Sequence, residues 1–251
     1  MISVIMGIHR IDEYVDDAIN SILNQSFRDF EFIIVANGAA SNEIENYIFS
    51  YFNDPRIRII KSSIGQLAYA LNLAIDASQY DYIARMDADD IAHKDRLEKQ
   101  LAYLQKHNLD LVGSSVNLIN ENDIEIGQRV ALSGKNINKA LPFKCPFIHP
   151  TVFYIKERIV NVRGYNSGFN SEDYDLWLRL NRQGITWDNI QEPLLDYRIH
   201  TQASQRQLLG YAECTGYAIR EFILQKSFRN FCAIFVQLLK SFIRPDRSEK
   251  D

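Results

Sequence analysis

Three carboxylates, Asp87, Asp89 and Asp90, lie within four residues directly after the apolar run of residues 82–84. That run predicts a short buried strand, so the acidic cluster follows the carboxyl end of a strand, where open α/β sheets bind ligands. Asp87 and Asp89 stand two apart and therefore point to one side of the chain. Their mutual repulsion favours a bound cation, and such oxygen ligands suit Mg²⁺ or Mn²⁺. The alternative is a solvated turn in which one Asp caps the next helix.

A second pair of carboxylates, Glu172 and Asp173, opens an amphipathic helical segment. Acidic residues in a first turn are stabilised by the helix dipole, which is a purely structural explanation. A carboxylate beside a ligand site can also act as a general base and take the proton of a hydroxyl. Asp175 is the weaker candidate for this role, because two residues along a helix turn a side chain well away.

Two further polar groups fall near predicted strand ends. Alternation along the last predicted strand places Asp196, Arg198 and His200 on one face. His149 lies in a proline-rich stretch, where it either lines a ligand pocket or packs within a turn.

Alternating strands and helices predict the fold that positions these groups. The predicted elements of the first half are strands at 2–6, 30–35, 56–60 and 82–86 and helices at 12–23, 41–51, 65–75 and 94–107. Their short connections indicate right-handed βαβ units and an α/β fold with a mostly parallel sheet. Further strands are expected at 110–120, 125–130, 151–155, 185–187 and 194–199, with a helix at 171–183 and an irregular stretch around Pro142, Pro146 and Pro150.

The composition excludes several classes of protein. The 251 residues are 46% hydrophobic and carry a net charge of −4, so the basic excess of a nucleic-acid-binding protein is missing. Cys145, Cys214 and Cys232 form no C-x-x-C motif and indicate reduced thiols in the cytoplasm. No apolar run approaches the roughly 18 residues of a membrane span, and residues 1–6 resemble a first strand more than a signal peptide.

Residues 211–251 form a separate, basic and amphipathic tail. From Phe228 onward apolar residues recur at helical spacing, and residues 217–245 hold five basic residues and one acidic residue. This pattern predicts an interfacial helix that binds the membrane surface. The alternative is that the apolar stripe packs on the domain or in a homodimer.

Several segments resemble family 2 glycosyltransferases of the GT-A fold, and they occur in the same order. They are SVIM at 3–6, SILNQS at 21–26, FEFIIV at 30–35, RMDADD at 85–90, HPT at 149–151 and EDYDLWLRL at 172–180. The resemblance covers about residues 2–205. It implies a GT-A nucleotide-sugar-binding domain over 1–210, with a nucleotide-binding half at about 1–115 and an acceptor half at about 116–210. It also implies transfer of a sugar from a nucleotide-sugar with inversion at the anomeric carbon.

The resemblance suggests roles for individual residues. Asp173 is the expected base, while Glu172 and His149 contact the acceptor. The expected ligands of Mn²⁺ or Mg²⁺ are Asp87, Asp89 and His200, with Asp89 the most direct. Asp90 either binds the ion through water or caps the helix near residues 93–95. The expected donor-binding residues are Gly7, His9, Asn37, Arg85, Asp87, Arg198 and His200. Arg85, just before the acidic cluster, either braces its carboxylates or contacts the donor.

The nucleobase site departs from the family pattern. The family usually has Pro-x-Tyr-Asn after the first strand and Asp-Asp after the second, whereas this chain has GIHR at 7–10 and Ala36-Asn37. His9 still offers a ring for stacking, and Asn37 can accept from a uracil N3–H while donating to O4. A uridine diphosphate sugar, such as that of glucose or galactose, is therefore the expected donor.

The resemblance also predicts the setting of the reaction. The Gln-x-x-Arg-Trp motif of processive members is missing, so one sugar is added per encounter. The expected acceptor is a lipid-linked saccharide in the synthesis of a surface polysaccharide, such as O antigen, capsule or exopolysaccharide. The expected location is the inner face of the plasma membrane, with the protein bound peripherally from the cytoplasm.

Two other functions compete with this one. A non-catalytic binding or regulatory module of the same fold is left open by the altered nucleobase residues. A nucleotidyltransferase would need a glycine-rich phosphate loop after the first strand, and residues 7–10 are too short for one.

Overall fold

The computed structural model describes residues 1–166, 168, 171–199 and 208–243. The strands are β1 (Ile2–Ile8), β2 (Phe30–Asn37), β3 (Ile57–Ser62), β4 (Tyr82–Met86), β5 (Ile91–Ala92), β6 (Leu111–Ile119), β7 (Glu125–Arg129), β8 (Phe153–Ile155) and β9 (Trp187–Arg198). The helices are α1 (Val15–Leu23), α2 (Ser41–Tyr51), α3 (Leu67–Ala77), α4 (Arg96–His107), α5 (Lys135–Ala140), α6 (Lys156–Asn161), α7 (Glu172–Arg182), α8 (Leu208–Leu224) and α9 (Phe228–Ile243). A 3₁₀ turn covers His149–Thr151.

These strands form one mixed sheet in the order β3-β2-β1-β4-β8-β6-β9-β5, with β7 paired to β6. Strands β1 to β4 run parallel, β8 is antiparallel to both β4 and β6, and β9 runs parallel to β6. The predicted mostly parallel sheet is confirmed. Strand β4 lies near the middle of this sheet, so the acidic cluster that follows it lies at the centre of the carboxyl edge.

Helices cover both faces of the sheet, which explains why the first strands are apolar without alternation. On β1, Val4 and Met6 belong to the core shared with α1, α2 and α4. Ile5 points to the opposite core, which contains α3 and α7. The structure is therefore three layered, with α7 packed against the face opposite α1.

Strand β9 replaces the two short strands that were predicted at 185–187 and 194–199. Its pairing with β6 shifts register between Ser114 and Ser115, where Ile190 and then Pro193 are the partners. The two additional residues of β9 in this step form a bulge. The bulge accommodates the missing N–H of Pro193, so the strand continues through this residue. Helices α5 and α6 and the short strand β5 were also not predicted.

Helices α8 and α9 form a hairpin that packs on α7. Glu213 of α8 accepts a hydrogen bond from Ser171, the residue that precedes α7. Arg220 of α8 pairs with Asp175 of α7, and Glu221 pairs with Arg182. The tail is thus attached to the helix that begins with Glu172 and Asp173.

The described helices include none that combines the length and the apolar character needed to cross a bilayer.

Candidate functional site

The acidic cluster forms at the point where β4 ends. Asp87, Asp89 and Asp90 each present one carboxylate oxygen, and these oxygens lie within 4.8 Å of one another. Asp87 and Asp89 are half-buried, whereas Asp90 is buried. The predicted grouping of Asp87 with Asp89 is present, and Asp90 joins it.

Two buried arginines lie beneath this cluster. Arg85 is 1% exposed, and its Nη1 donates to Asp87 Oδ2 at 2.6 Å while its Nη2 pairs with Oδ1. Arg96 is fully buried and donates to the Arg85 carbonyl at 2.6 Å. Burial lowers the pKa of Arg96 to about 9, and the charges of Asp90 and Asp87 oppose that fall. The two guanidinium groups therefore compensate part of the charge of the carboxylates.

Arg198 connects the cluster to the loop between β6 and β7. Its backbone N–H donates to Asp90 Oδ1 at 2.9 Å, and its Nε donates to the Asp89 carbonyl at 2.8 Å. Its Nη1 pairs with Asp123 at 2.6 Å, and the guanidinium lies 4.1 Å from the ring centre of Tyr14. Through these contacts Arg198 fixes the backbone of residues 89–90 relative to β9 and to the loop after β6. Donor binding by Arg198 stays a prediction, and His200 lies outside the described residues.

The acidic cluster suits a divalent cation. Asp90 Oδ2 is buried and has no hydrogen-bond partner in the part of the chain that the structure describes. Burial raises the pKa of Asp90 well above its ordinary value, and the charges of Asp89 and Asp87 add to the rise. Crowded carboxylates of this kind are stabilised by a cation with oxygen ligands. Asp90 does not cap the following helix, because its other oxygen binds the Arg198 N–H.

Asp173 and Glu172 begin α7 and remain half-buried, while residues 174–180 are buried. Asp173 Oδ1 accepts from the Tyr174 N–H at 2.6 Å, and Oδ2 accepts from the Cys145 thiol at 3.4 Å. Burial raises the pKa of Asp173, against these hydrogen bonds and the charge of Arg85. Burial and the neighbouring charge of Asp173 raise the pKa of Glu172 to about 7.

The charge of Arg85 links the two acidic regions, since it acts on Asp87 and Asp90 and also on Glu172 and Asp173. The carboxyl end of β4 and the first turn of α7 therefore both lie within range of the charge of one guanidinium. One region can hold a cation and the other a base.

Asp175, two residues after Asp173, faces the protein interior. It is 1% exposed, accepts from Arg179 Nε at 2.7 Å and pairs with Arg220. The weaker of the two candidate bases is therefore a structural residue of the joint between α7 and α8.

His149 is held by an aromatic neighbour. Its Nε2 lies 2.9 Å from Tyr165 Oη, and its ring meets Trp177 edge-on at 6.1 Å. Burial and the charge of Arg85 keep its pKa well below the ordinary value, so the ring is neutral. Tyr165 is fixed by Asn72, which exchanges two hydrogen bonds with its backbone. Gly164 has φ +65°, and a Cβ there would meet Asn72 Oδ1 at 2.3 Å.

Asn37 changes the expected contact with a nucleobase. Its Nδ2 donates to the carbonyls of Ile8 at 3.1 Å and Val35 at 3.3 Å. Because two carbonyls fix the amide orientation, Oδ1 alone remains for a ligand, and the predicted donation to a uracil O4 is corrected. Gly7 lies beside this amide, where a Cβ would be 3.3 Å from Leu67. His9 is exposed just after β1.

Sequence reasoning missed three residues of the site. Arg96 sits in a helical pattern and carries no signal of burial. Cys145 contacts Asp173, which lies 28 residues away in the sequence, and Tyr165 contacts His149, which lies 16 residues away. The only local signal is Gly164, which marks a turn before Tyr165.

The family model described as Glycosyl transferase family 2 matches residues 3–164. The chain belongs to glycosyl transferase family 2. Within the family it is 47% identical over 247 residues to the O-antigen biosynthesis glycosyltransferase WbnJ of Escherichia coli, covering 97% of each chain. It is 30% identical over 211 residues to the UDP-Gal:alpha-D-GlcNAc-diphosphoundecaprenol beta-1,3-galactosyltransferase of Escherichia coli, covering 82% of this chain and 76% of that one.

Solved structures confirm the predicted GT-A fold. S. aureus TarS 1-349 in complex with UDP-GlcNAc superposes with a TM-score of 0.73 at 16% identity, covering 99% of this chain and 74% of that chain. Its complex with UDP gives a TM-score of 0.71 at 15% identity, covering 99% and 73%. At this identity the likeness concerns the fold.

Proposed function

We propose that this family 2 glycosyltransferase moves one hexose, such as glucose or galactose, from a UDP-sugar to a hydroxyl of a lipid-linked saccharide. The product belongs to a surface polysaccharide such as O antigen. One observation carries the proposal: the carboxylates of Asp87, Asp89 and Asp90 cluster at the end of β4, and the charge of the buried Arg85 acts both on this cluster and on the half-buried Asp173. We infer that the cluster holds the diphosphate side of a substrate site and that Asp173 lies on its acceptor side.

The relatives support the choice of substrates. The E. coli galactosyltransferase is named for a UDP-sugar donor and a diphosphoundecaprenol-linked acceptor. The WbnJ relative, which aligns over 97% of this chain, is named for O-antigen biosynthesis. Because Nδ2 of Asn37 is held by two carbonyls, its Oδ1 is the atom that can accept the N3–H of uracil, which is consistent with a uridine nucleotide.

Asp173 is the proposed base of a direct displacement. It would take the acceptor hydroxyl's proton as the oxygen attacks the anomeric carbon, and the nucleoside diphosphate leaves from the opposite side with inversion. The charge of Arg85 favours the ionised form of Asp173, and burial raises the pKa of Asp173 towards neutral pH. Glu172, which precedes Asp173, and the neutral ring of His149 are proposed to orient the acceptor.

A divalent cation, Mn²⁺ or Mg²⁺, would be held by Asp87 and Asp89 with Asp90 behind them. When bound, such a cation neutralises the charge that develops on a leaving diphosphate. Arg85 fixes Asp87 through both carboxylate oxygens, so the first ligand is already oriented.

Calorimetric titration with UDP, GDP and dTDP, each with and without Mn²⁺, tests the donor class. We expect UDP to bind only with Mn²⁺, and Asp89→Asn to weaken that binding by at least tenfold, because one ligand of the cation is lost. Asp76→Asn is the matched control, since Asp76 lies on α3 and is exposed. Preference for GDP or dTDP would overturn the choice of uridine, and no nucleotide binding by the folded protein would favour a non-catalytic module.

We also propose that α9 brings the protein to the membrane. Its buried residues include Ala233 and the polar Gln237, which donates to Tyr174 Oη at 3.0 Å. Its aromatic side chains face solvent, with Phe235 51% exposed and Phe242 78% exposed. The alternative that this stripe packs on the domain is therefore wrong for the described part of α9. An apolar helix face directed outward suits the interface of a bilayer, and the inner face of the plasma membrane would bring a lipid-linked acceptor to the site.

The basic residues contribute less to this surface than the sequence suggested. Arg220 pairs with Asp175 and Glu221, Arg229 donates to the Lys139 carbonyl, and Lys240 donates to the Phe143 carbonyl. These three cations contact backbone or side-chain groups of the protein, Lys226 is exposed, and Arg244 lies outside the described residues. We therefore propose that the attachment relies first on the apolar face of α9.

Flotation with liposomes measures this attachment. We expect the protein to bind phosphatidylcholine vesicles nearly as well as anionic ones, and Phe235→Asp to reduce binding by roughly tenfold, given the apolar area of a half-buried aromatic ring. Phe49→Asp on α2, where Phe49 is 63% exposed, is the matched control. A concentration-dependent dimer that is disrupted by Phe235→Asp, without vesicle binding, would assign the surface to a second subunit.

A further inference from the structure

The loop that precedes His149 is held against the start of α7 from two sides. Tyr174 Oη donates to the Leu141 carbonyl at 2.7 Å, and Gln237 Nε2 lies 3.3 Å from the Pro142 carbonyl. Lys240 donates to the Phe143 carbonyl. This loop carries Cys145, so its backbone is fixed relative to α7 on both the domain side and the hairpin side.

The Cys145 thiol lies at the point where this loop meets the base. Its Sγ is 3.4 Å from Asp173 Oδ2 and 3.4 Å from the Phe147 carbonyl. Burial and the charge of Asp173 raise the pKa of Cys145 well above its ordinary value. The thiol therefore stays protonated at neutral pH, and its one proton is shared between two oxygen acceptors.

We propose that Cys145 is a positioning residue for the base, because its S–H holds Oδ2 of Asp173 while the Tyr174 N–H holds Oδ1. A donor to a carboxylate stabilises the ionised form and lowers its pKa. Cys145 thereby opposes the effect of burial and keeps the base ionised at lower pH. This inference rests on the proposed role of Asp173 in transfer.

Other charged and titratable groups also act on Asp173. They are Glu172 on the same helix, Arg85 at the end of β4, Tyr165 in the loop before α7 and Cys214 on α8. Of these, Arg85 favours the ionised carboxylate and Glu172 opposes it when charged. Cys145 alone among these groups donates a hydrogen bond to Oδ2 in the described structure.

The pH dependence of turnover tests the proposal. Initial rates of UDP release from UDP-galactose, UDP-glucose and UDP-GlcNAc with Mn²⁺, with water as acceptor, are measured from pH 5 to 9. In Cys145→Ala we expect the acid limb of the kcat/KM profile to shift to higher pH by about half a unit. At pH values below the limb, this shift lowers kcat/KM by about threefold. Cys145→Ser keeps a donor and should restore the wild-type limb. Cys232→Ala on α9 removes an equal side chain as the control.

A packing role would lower the rate of Cys145→Ala at every pH without moving the limb, and that result overturns the proposal. Failure of Cys145→Ser to restore the limb would also overturn it. A wild-type profile without an acid limb, or one that Asp173→Asn leaves unchanged, would instead contradict the proposed base.

A second measurement does not depend on turnover. Alkylation of Cys145 by iodoacetamide is followed across pH by mass spectrometry of its peptide, in the wild-type protein and in Asp173→Asn. Loss of the carboxylate should move the midpoint of labelling to lower pH, because the thiolate no longer faces a negative charge. Equal midpoints would show that the thiol and Asp173 are not coupled.

Discussion

Asp173→Asn will lower turnover by about 10²–10⁴-fold while the affinity for UDP with Mn²⁺ stays within about twofold of wild type, because only the proton acceptor is lost. The asparagine carbonyl can still accept from the Tyr174 N–H, so the first turn of α7 keeps its geometry. Single-turnover transfer with a lipid-linked acceptor, or UDP release with water as acceptor, measures the effect. Calorimetry with UDP measures the control.

Glu172→Gln is the matched variant for this experiment. The pKa of Glu172 is raised to about 7, a value that suits a general base, so this variant tests which of the two carboxylates takes the proton. We expect it to change KM for the acceptor more than kcat. If Glu172→Gln lost turnover and Asp173→Asn kept it, the assignment of the base would be reversed.

The sequence brought out the candidate site residues because their signals are local. Asp87 and Asp89 follow an apolar strand, and Glu172 and Asp173 open a helix, so each pair is visible within a few residues. The fold prediction was also correct for this reason, since buried strands and amphipathic helices alternate. The bulge in β9 was not predictable, because a polar pair before Pro193 is equally typical of a loop.

The contacts that tune the site could not be read from spacing. Cys145 meets Asp173 only because the loop after α5 folds onto α7, and Arg96 is buried only because the acidic turn lies above it. The orientation of the tail helix was not predictable either. Periodicity predicted a helix with an apolar stripe, but it could not show that Gln237 faces the protein while Phe235 faces solvent.

Asp175→Asn will destabilise the protein by about 3 kcal/mol, although it lies only two residues from the base. Asp175 is 1% exposed and pairs with Arg179, which is itself 5% exposed. Removing one partner of a buried pair leaves the other charge uncompensated. This loss of stability lies at the lower end of the range of about 3–5 kcal/mol for breaking a buried ion pair. The reason is that the Arg220 side chain is 31% exposed and can be rehydrated.

Urea unfolding at pH 7 measures this loss as a lower midpoint with an unchanged slope. Burial acts to raise the pKa of Asp175, but the hydrogen bond from Arg220 and the charge of Arg179 hold it below its ordinary value. The stabilisation is therefore present above about pH 4, the pKa range of an unfolded Asp, and is lost as the pH falls through the folded pKa. The difference between wild type and Asp175→Asn should shrink in acid.

Asp173→Asn provides the matched comparison, with the same chemical change on the same helix. It should leave the unfolding midpoint nearly unchanged, because Asp173 is half-buried and pairs with no arginine within hydrogen-bond distance in the described structure. Equal destabilisation by both variants would mean that the start of α7 responds to any loss of charge, and the separate roles of the two carboxylates would be wrong. Opposite effects on turnover and stability would show that one turn of α7 carries the base on its open side and the attachment of the α8–α9 hairpin on its buried side.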